Sequence, residues 1–428
     1  MANTSSPSGV TIRTYQVGFG DCFLLTFHYS NGKSFVLIDF GTTGTPDGKD
    51  KQQLVKIAED IKKQCQPAPG EKPKLHAIVA THRHRDHIRG FSTEGRDGSP
   101  GKIIATMKPD FVIQPWTEDP DAKKNATKAT RDRVQHLRSS LDSMHEFASG
   151  AFAEAQHLRM LGITGLDQLS FIGEDNLANK SAVDNLMTMG KTNRYVHSGM
   201  ELDDVLPGVK IHVLGPPNLE QTQKIKKQRA NDANEFWFTQ QQFWAIQGAS
   251  PLPKVGGPYR LKKLAQHPPV TRWLIKKAAE MRGEQLLRLV RILDSAMNNT
   301  SVILLFEFGG KTLLFPGDAQ IENWEYALSQ KKYTAMLKGV DLYKVGHHGS
   351  RNATPKSLWR LFEKRAAPGA DGRLHTIVST MADKHGHEDK GTEVPRTTLI
   401  KELKAKSDFF TTQDLEGAQF FRDESVFV

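Results

Sequence analysis

Ten consecutive residues constrain this chain more than any other segment: residues 81–90 read THRHRDHIRG. His82 and His84 are two positions apart, so both imidazoles can face one metal ion from an extended stretch or a tight loop, while Asp86 and His87 turn toward a second position beside it. Imidazole and carboxylate ligands suit zinc or a harder ion such as manganese, and two ions about 3.5–4 Å apart can hold both the attacking and the leaving oxygen of a hydrolysis. The spacing therefore predicts a hydrolytic centre with two divalent ions. The simpler alternative is a basic, histidine-rich surface loop.

Segments with the composition of β-strands precede the candidate ligands along the chain. Gly309 and Gly310 indicate a hairpin between two of these strands. A rigid sheet that delivers side chains at its strand ends is the scaffold that a catalytic site requires, so we expect the ligands to converge. The segments are VTIRTYQVGFGDCFLLTF at 10–27, SFVLIDFGTT at 34–43 around Asp39, LHAIVA at 75–80 before His82, TSVILLFEFGGKTLLFPG at 300–317 before Asp318, and LYKVG at 342–346 before His347 and His348.

Together these motifs resemble those of the metallo-β-lactamase superfamily, and more narrowly the metallo-β-lactamase domain of ComEC-type DNA-uptake proteins and its soluble relatives. The resemblance implies an α+β fold, an αββα sandwich, which would be split here into 10–217 and 298–428. The motifs that carry it are LIDFG with Asp39, THRHRDH at 81–87, FPGD with Asp318, KVGHHGS at 344–350, VGFGD at 17–21, VLGPP at 213–217 and NNTSVILLF at 298–306.

The resemblance also implies a role for each residue of this framework. Asp86 and Asp318 would orient the attacking water, and Asp39 would support the ligand loop through hydrogen bonds rather than bind metal. The implied metal ligands are His82 and His84 for the first ion, Asp86 and His87 for the second, Asp318 as the bridge, and His347, in preference to His348, to complete the second site.

One part of the family pattern is missing. Many members supply another first-site histidine from an HTPGHT-like segment between the HxHxDH run and the bridging aspartate, and this chain has no such segment. His197 lies in the right interval and is a candidate ligand, whereas His212 alternates with apolar neighbours as a strand-face histidine would. The first site could instead be completed by water.

The carboxyl-terminal region offers candidate contacts to a substrate phosphate. His385 or His387 could face the active site and hydrogen-bond a phosphate oxygen, although a surface-loop position is the simpler explanation for either residue. Gly349 and Ser350 follow the histidine pair in a small-residue turn, whose backbone N–H groups could face an anion. Around them we expect a strand at Thr376–Ser379, a helix beginning near Pro395, and a closing hairpin in TTQDLEGAQF at 411–420.

The interval between the two halves of the framework is long and has two distinct parts. Residues of about 118–160 have apolar positions at three- and four-residue steps, which predicts a helical segment. Residues 218–297 form a predicted basic, mainly helical insertion that carries 14 Lys and Arg against 6 Asp and Glu and interleaves Trp237, Trp244 and Trp273 with phenylalanines. Cations and flat rings are what nucleic-acid binding uses. A small core of its own, or docking of a protein partner, would explain the same residues.

Composition points to a cytoplasmic protein. There is no apolar run long enough for a membrane span, the first ten residues do not resemble a secretion signal, and there are two cysteines, which we expect to be thiols. The sequence therefore predicts a metal-dependent phosphodiesterase or nuclease acting on DNA or RNA. The alternatives are a metal hydrolase of a small ester, thioester or lactam, and a partner-docking module with conditional activity.

Overall fold

The computed structural model describes most of the two predicted halves of the framework, and the described residues all belong to one structural unit formed by Met1–Arg138, Asn179–Thr222 and Met297–Val428. Most of the insertion predicted over 218–297, most of the segment predicted over 118–160, and His387 lie outside the described residues. The described ranges are 6–45, 52–67, 70–94, 98–119, 122–124, 134–135, 179–218, 220–222, 297–350, 352, 354–386 and 393–428.

Two β-sheets form the body of this unit. The seven-stranded sheet contains β1 (Gly9–Tyr15), β2 (Cys22–Tyr29), β3 (Gly32–Phe40), β4 (Ala77–Val79), β5 (Phe111–Pro115), β8 (Thr192–Val196) and β15 (Phe421–Phe427), in the order β15-β1-β2-β3-β4-β5-β8. The six-stranded sheet contains β9 (Lys210–Gly215), β10 (Ile303–Phe308), β11 (Lys311–Phe315), β12 (Leu342–Lys344), β13 (His375–Val378) and β14 (Asp408–Thr411), in the order β14-β13-β12-β11-β10-β9.

A short parallel pair, β6 (Ala122–Lys124) and β7 (Val134–Gln135), lies outside both sheets. Val134 and Gln135 fall within the segment predicted to be helical over about 118–160. For these two residues the prediction was wrong, because their backbone pairs with Ala122 and Lys123 instead of forming helical hydrogen bonds.

Helices cover the outer face of each sheet. Along the seven-stranded sheet these are α1 (Gln53–Gln64), α2 (Arg85–Ile88), α3 (Pro100–Ala105) and α4 (Lys180–Thr188), and along the six-stranded sheet α5 (Ile321–Ser329), α6 (Lys331–Lys338), α7 (Lys356–Leu361) and α8 (Thr397–Lys406). In the ranges given above, none of these helices combines the length and the apolar content needed to cross a bilayer.

The alternation of side chains along each strand explains the layers. In β2, Phe23 and Leu25 belong to the core between the two sheets, whereas Cys22 and Leu24 face the helices on the other side. The rings of Phe23 and Phe315 meet edge to face across the sheet interface, with centroids 5.6 Å apart. Each such fully buried side chain contributes about 1.5–3 kcal/mol to folding. The arrangement is an α+β sandwich with the layers helix, sheet, sheet and helix.

The predicted hairpin at Gly309 and Gly310 is confirmed. Strands β10 and β11 pair antiparallel up to Phe308 opposite Lys311, which leaves the two glycines as the turn. Their φ angles are +50° and +77°, and a two-residue turn that matches the twist of the strands requires positive φ at both positions.

The carboxyl-terminal elements agree with the prediction in part. The strand near Thr376–Ser379 and the helix after Pro395 are present as β13 and α8. The closing hairpin predicted over 411–420 was wrong, because β14 pairs parallel with β13 while β15 pairs antiparallel with β1. The intervening residues therefore cross from the six-stranded to the seven-stranded sheet, where Arg13 binds Asp423 at 2.7 Å.

Candidate metal centre

The ligand motif forms one short loop and helical turn after β4. Helix α2 begins at Arg85, so Asp86 and His87 lie in its first turn, and His82 and His84 precede it. The side chains of all four motif residues are buried in the protein interior. A loop can hold this helix so close to β3 because residue 41 is glycine: a Cβ there would lie 2.5 Å from the carbonyl oxygen of Arg85.

The six-stranded sheet supplies the other half of the centre. Asp318 follows β11, and His347 and His348 follow β12, which is the parallel neighbour of β11. Both histidines have left-handed backbones, with φ of +46° and +52°. Such a conformation costs a residue with a side chain about 1–2 kcal/mol, and strain of this kind is concentrated at functional sites.

Four residues from the two halves form one buried group: Asp86, His87, Asp318 and His348. Each offers one ligand atom, and these atoms all lie within 4.8 Å of one another. His348 Nε2 is 3.0 Å from Asp86 Oδ2 and 3.5 Å from Asp318 Oδ2, and His87 Nε2 is 3.2 Å from Asp318 Oδ2. A buried set of two imidazoles and two carboxylates is a donor set for a divalent ion.

Hydrogen bonds fix which nitrogen of each histidine faces the group. His348 Nδ1 lies 2.9 Å from the backbone oxygen of Ser379, and a carbonyl oxygen can only accept, so Nδ1 carries the hydrogen and Nε2 is directed toward Asp86. His87 Nδ1 lies 2.8 Å from Asp39 Oδ2, which directs its Nε2 toward Asp318. Metal-binding histidines are commonly held in this way by a carbonyl or a carboxylate.

The geometry reverses the preference that the resemblance gave to His347 over His348. The backbone turns the side chain of His348 inward, where it is fully buried, while the side chain of His347 is 26% exposed. His347 Nε2 lies 3.8 Å from Asp318 Oδ2, at the edge of the group rather than in it.

His82 and His84 lie side by side next to the group of four. His82 Nε2 is 3.0 Å from His84 Nδ1, and the rings of His82 and His87 are 4.1 Å apart. Burial, reinforced by the neighbouring His87, lowers the pKa of His82 well below its usual value. The ring of His82 is therefore neutral at physiological pH, which is the form that binds a metal ion.

The carboxylates of Asp86 and Asp318 are ionised in spite of their burial. Burial by itself disfavours the charge of Asp318, but His87, His348 and His347 together hold its pKa well below the usual value. Conversely, burial disfavours the charged ring of His87, while Asp318, Asp39 and Asp86 raise its pKa. Fixed negative charge in the interior is what a cation site requires.

Unsatisfied oxygen atoms show that a cation fits this centre. Asp86 Oδ1 and Asp318 Oδ1 are buried, and neither has a hydrogen-bond partner among the residues that the structure describes. Leaving such atoms unpaired is costly, and a divalent ion would satisfy both.

Asp39 makes the hydrogen bonds that the resemblance implies for a supporting residue. One carboxylate oxygen accepts the backbone N–H of Thr81 at 2.8 Å, and the other accepts its hydroxyl at 2.7 Å as well as His87 Nδ1. Asp39 therefore joins the end of β3 to both ends of the ligand loop.

Arg83, which lies between the first two motif histidines, fixes the loop from the other side. Its guanidinium binds Glu118 Oε2 through two nitrogens, at 2.7 and 2.9 Å, and the carboxylate is nearly buried. A guanidinium that donates twice to one carboxylate gives a directed contact. The pair of contacts between Arg83 and Glu118 thus anchors the backbone between His82 and His84.

Asp21 and Lys344 belong to the centre and were not among the predicted site residues. Both are buried and in direct contact, and Lys344 Nζ is 3.8 Å from Asp318 Oδ1. Burial opposes the charge of Lys344, but Asp21 and Asp318 raise its pKa, so it is a cation. A single lysine in the otherwise apolar strand LYKV was the available signal, because a buried ammonium requires a partner.

The two histidines considered for the first site have other partners. His197 Nδ1 lies 2.9 Å from the backbone oxygen of Ser198, and His197 is not part of the group of four. His212 lies on β9 with its Nε2 3.0 Å from Glu307 Oε2 on β10.

His385 lies near the centre, next to Phe19. The ring of Phe19 contacts the rings of both His385 and His348, with centroids 4.3 Å apart in each pair. Burial lowers the pKa of His385 to about 4, so its ring is neutral at physiological pH.

The backbone N–H groups of Gly349 and Ser350 are less suited to an anion than the sequence predicts. The first donates to the carbonyl oxygen of Gly346 at 3.0 Å, and the second to that of His347 at 2.8 Å. Both are used inside the turn that shapes the histidine pair. The hydroxyl of Ser350 donates to Asn352.

Comparisons with solved structures find distant similarities, among them the two that follow. No family model and no curated protein matches the chain. Zinc-bound PqqB from Methylobacterium extorquens is 12% identical, with a TM-score of 0.27, over 75% of this chain and 58% of the PqqB chain. A protein of unknown function from Enterococcus faecalis V583 is 9% identical, also with a TM-score of 0.27, over 94% of this chain and 76% of the other.

Proposed function

We propose that the protein is a hydrolase of the metallo-β-lactamase fold that uses two divalent metal ions, zinc or manganese, and cleaves phosphodiesters in DNA or RNA. The observation that carries this proposal is the buried group of Asp86, His87, Asp318 and His348, whose ligand atoms lie within 4.8 Å of one another although they come from two sheets.

The side chains divide into two sets of ligands. His82 and His84 would hold the first ion, Asp86, His87 and His348 the second, and Asp318 would contact both. Bound divalent ions would lower the pKa of a water molecule and withdraw charge from the phosphate oxygens. Asp86 and Asp318 would orient that water, because their buried Oδ1 atoms have no hydrogen-bond partner among the described residues.

Two features favour a polyanionic substrate. The chain has a formal charge of +10, and its basic surplus is concentrated in 218–297, where phosphates could be attracted without base specificity. At the edge of the centre, the side chain of His347 is partly exposed, so substrate would approach on its side. There the neutral ring of His385 could donate a hydrogen bond to a phosphate oxygen.

The test is cleavage by purified protein, with and without manganese or zinc, of single-stranded DNA, duplex DNA, RNA and a chromogenic phosphodiester. We expect metal-dependent cleavage that is lost in Asp86→Asn and retained in Asp341→Asn. Asp341 is an equally buried carboxylate that lies away from the centre and binds Lys364 at 2.5 Å. Turnover of a thioester or lactam without cleavage of any phosphodiester would contradict the proposed substrate, and cleavage by Asp86→Asn would contradict the proposed site.

A further inference from the structure

Lys344 occupies an unusual position for its residue type. It is the only lysine that is buried among the residues described here. It is the last residue of β12, two positions after Leu342, and it therefore points to the same side of the strand, between the sheets. Its Nζ atom contacts Asp21, donates to the carbonyl oxygen of Gly317 at 3.3 Å, and lies 3.8 Å from Asp318 Oδ1.

Asp21, the partner of Lys344, lies behind His87 and His348, the two histidines of the group of four. Its two carboxylate oxygens are 3.6 Å from His348 Nδ1 and 3.7 Å from His87 Nδ1. Asp21, Asp39 and His87 also form a second group whose ligand atoms lie within 4.8 Å of one another. The ammonium of Lys344 contacts Asp21, which is one of the two carboxylates in this second group.

The charges explain why a lysine is needed here. Four carboxylates, those of Asp21, Asp39, Asp86 and Asp318, are buried close together. Like charges in a medium of low polarity repel strongly, and each buried ion costs several kcal/mol unless it is compensated. A bound divalent ion compensates the carboxylates that face it, but Asp21 lies on the far side of the histidines.

We propose that Lys344 is a built-in counter-charge that keeps Asp21 and Asp318 in place when no metal ion is bound, so that the metal group is formed before the ion arrives. This inference rests on the metal centre proposed above. Lys344 is a positioning residue, since it acts on the ligands Asp318, His87 and His348 through Asp21 and through its own charge.

An ordinary structural ion pair behaves differently from such a counter-charge. An ordinary pair stabilises the protein equally with and without metal. The contribution of Lys344 is larger in the metal-free protein, because a bound ion takes over part of the neutralisation of Asp318.

The experiment compares melting temperatures of full-length variants after removal of metal with a chelator and after addition of Zn²⁺. The variants are Lys344→Met, the double variant Asp21→Asn with Lys344→Met, and Lys364→Met as the matched control. Lys364 binds Asp341 in a lysine–aspartate pair that lies outside the centre and is partly exposed. The metal content of each protein is measured in parallel by mass spectrometry.

We expect metal-free Lys344→Met to melt about 10 °C below the wild type, because a buried carboxylate is left unpaired. Zn²⁺ should raise its melting temperature by more than it raises that of the wild type. The double variant, which leaves neither charge, should recover much of the loss and stays informative if Lys344→Met does not fold. Lys364→Met should show the same shift with and without Zn²⁺.

Equal losses in Lys344→Met with and without Zn²⁺, as in the control, would overturn the proposal. If the wild type holds no Zn²⁺ and is not stabilised by it, the proposed metal centre fails, and the inference about Lys344 fails with it. Recovery in the double variant would then show an ordinary buried ion pair between Lys344 and Asp21.

Discussion

The two sheets contribute to the metal centre in different ways. The seven-stranded sheet delivers His82, His84, Asp86 and His87 from one short run of sequence, whereas the six-stranded sheet delivers Asp318 and His348 from separate strands. The first set is recognisable as a motif. The second set becomes a site only through the register of β11 and β12, which are parallel neighbours. One part of the candidate ligand set is therefore encoded in a local motif. The other part depends on the alignment of strands from a distant part of the sequence.

The largest effect should come from removing one carboxylate of either set. Asp86→Asn and Asp318→Asn should each lower phosphodiester cleavage about 10²–10⁴-fold, because both would orient the attacking water in the proposed mechanism. Similar losses measured as kcat/KM would show that the halves are equally necessary. Full activity in Asp318→Asn would restrict the centre to the first half.

A close backbone contact should make the first half sensitive to a single methyl group. Gly41→Ala should destabilise the protein by about 3 kcal/mol, because the new Cβ would meet backbone atoms of Arg85 and Asp86 that cannot move independently. Gly339→Ala is the control, since a Cβ there meets nothing within 4 Å. Equal free energies of unfolding in urea for the two variants would contradict this account.

The supports of the two inward histidines differ in kind, which gives a third test. His87 is held by the side chain of Asp39 and His348 by the backbone oxygen of Ser379. Asp39→Asn should therefore weaken metal binding about 10–100-fold, measured by competition with a chelating dye. Asp423→Asn, which removes a carboxylate from Arg13 at the sheet edge, should leave metal affinity unchanged.

A partly buried histidine at the far end of β4 from the ligands should make stability depend on pH. His76 accepts the N–H of Phe35, and burial, aided by Lys74, lowers its pKa from 6.5 to about 4. The unfolded chain takes up the proton first as pH falls, so stability that is present above pH 6.5 is lost toward pH 4. Discounted for partial exposure, the loss is about 1.5 kcal/mol. His76→Gln should flatten the dependence of unfolding free energy on pH in this range, and an unchanged slope would refute the assignment.

The smallest effect concerns the strained turn of the second half. His347→Gly should raise the stability of the metal-free protein by about 1 kcal/mol, because glycine adopts φ of +46° without strain. Lys108→Gly, at an exposed turn with φ of +45°, should give a similar gain. Only the first variant should lose activity. A gain in stability without a loss of activity in His347→Gly would mean that the strain has no functional role.

The sequence predicts most of what depends on local pattern. Strand ends, the Gly309–Gly310 turn and the ligand run follow from spacing and composition within a few residues. The pairing of Lys344 with Asp21 could not be predicted, because it joins positions far apart in the chain. The choice between His347 and His348 depends on which of the two side chains the turn directs inward, and adjacent identical residues do not reveal this. The crossing between β14 and β15 escaped prediction because its turn residues are also typical of a hairpin.

The separation of the ligand sets has a consequence during synthesis. A ribosome-bound chain that has emerged only as far as β9 carries His82, His84, Asp86 and His87 but neither Asp318 nor His348. Such a nascent fragment has no bridging carboxylate, so it cannot assemble a two-ion hydrolytic centre. The proposed hydrolysis therefore becomes possible only after β12 and the turn that carries His348 have been synthesised.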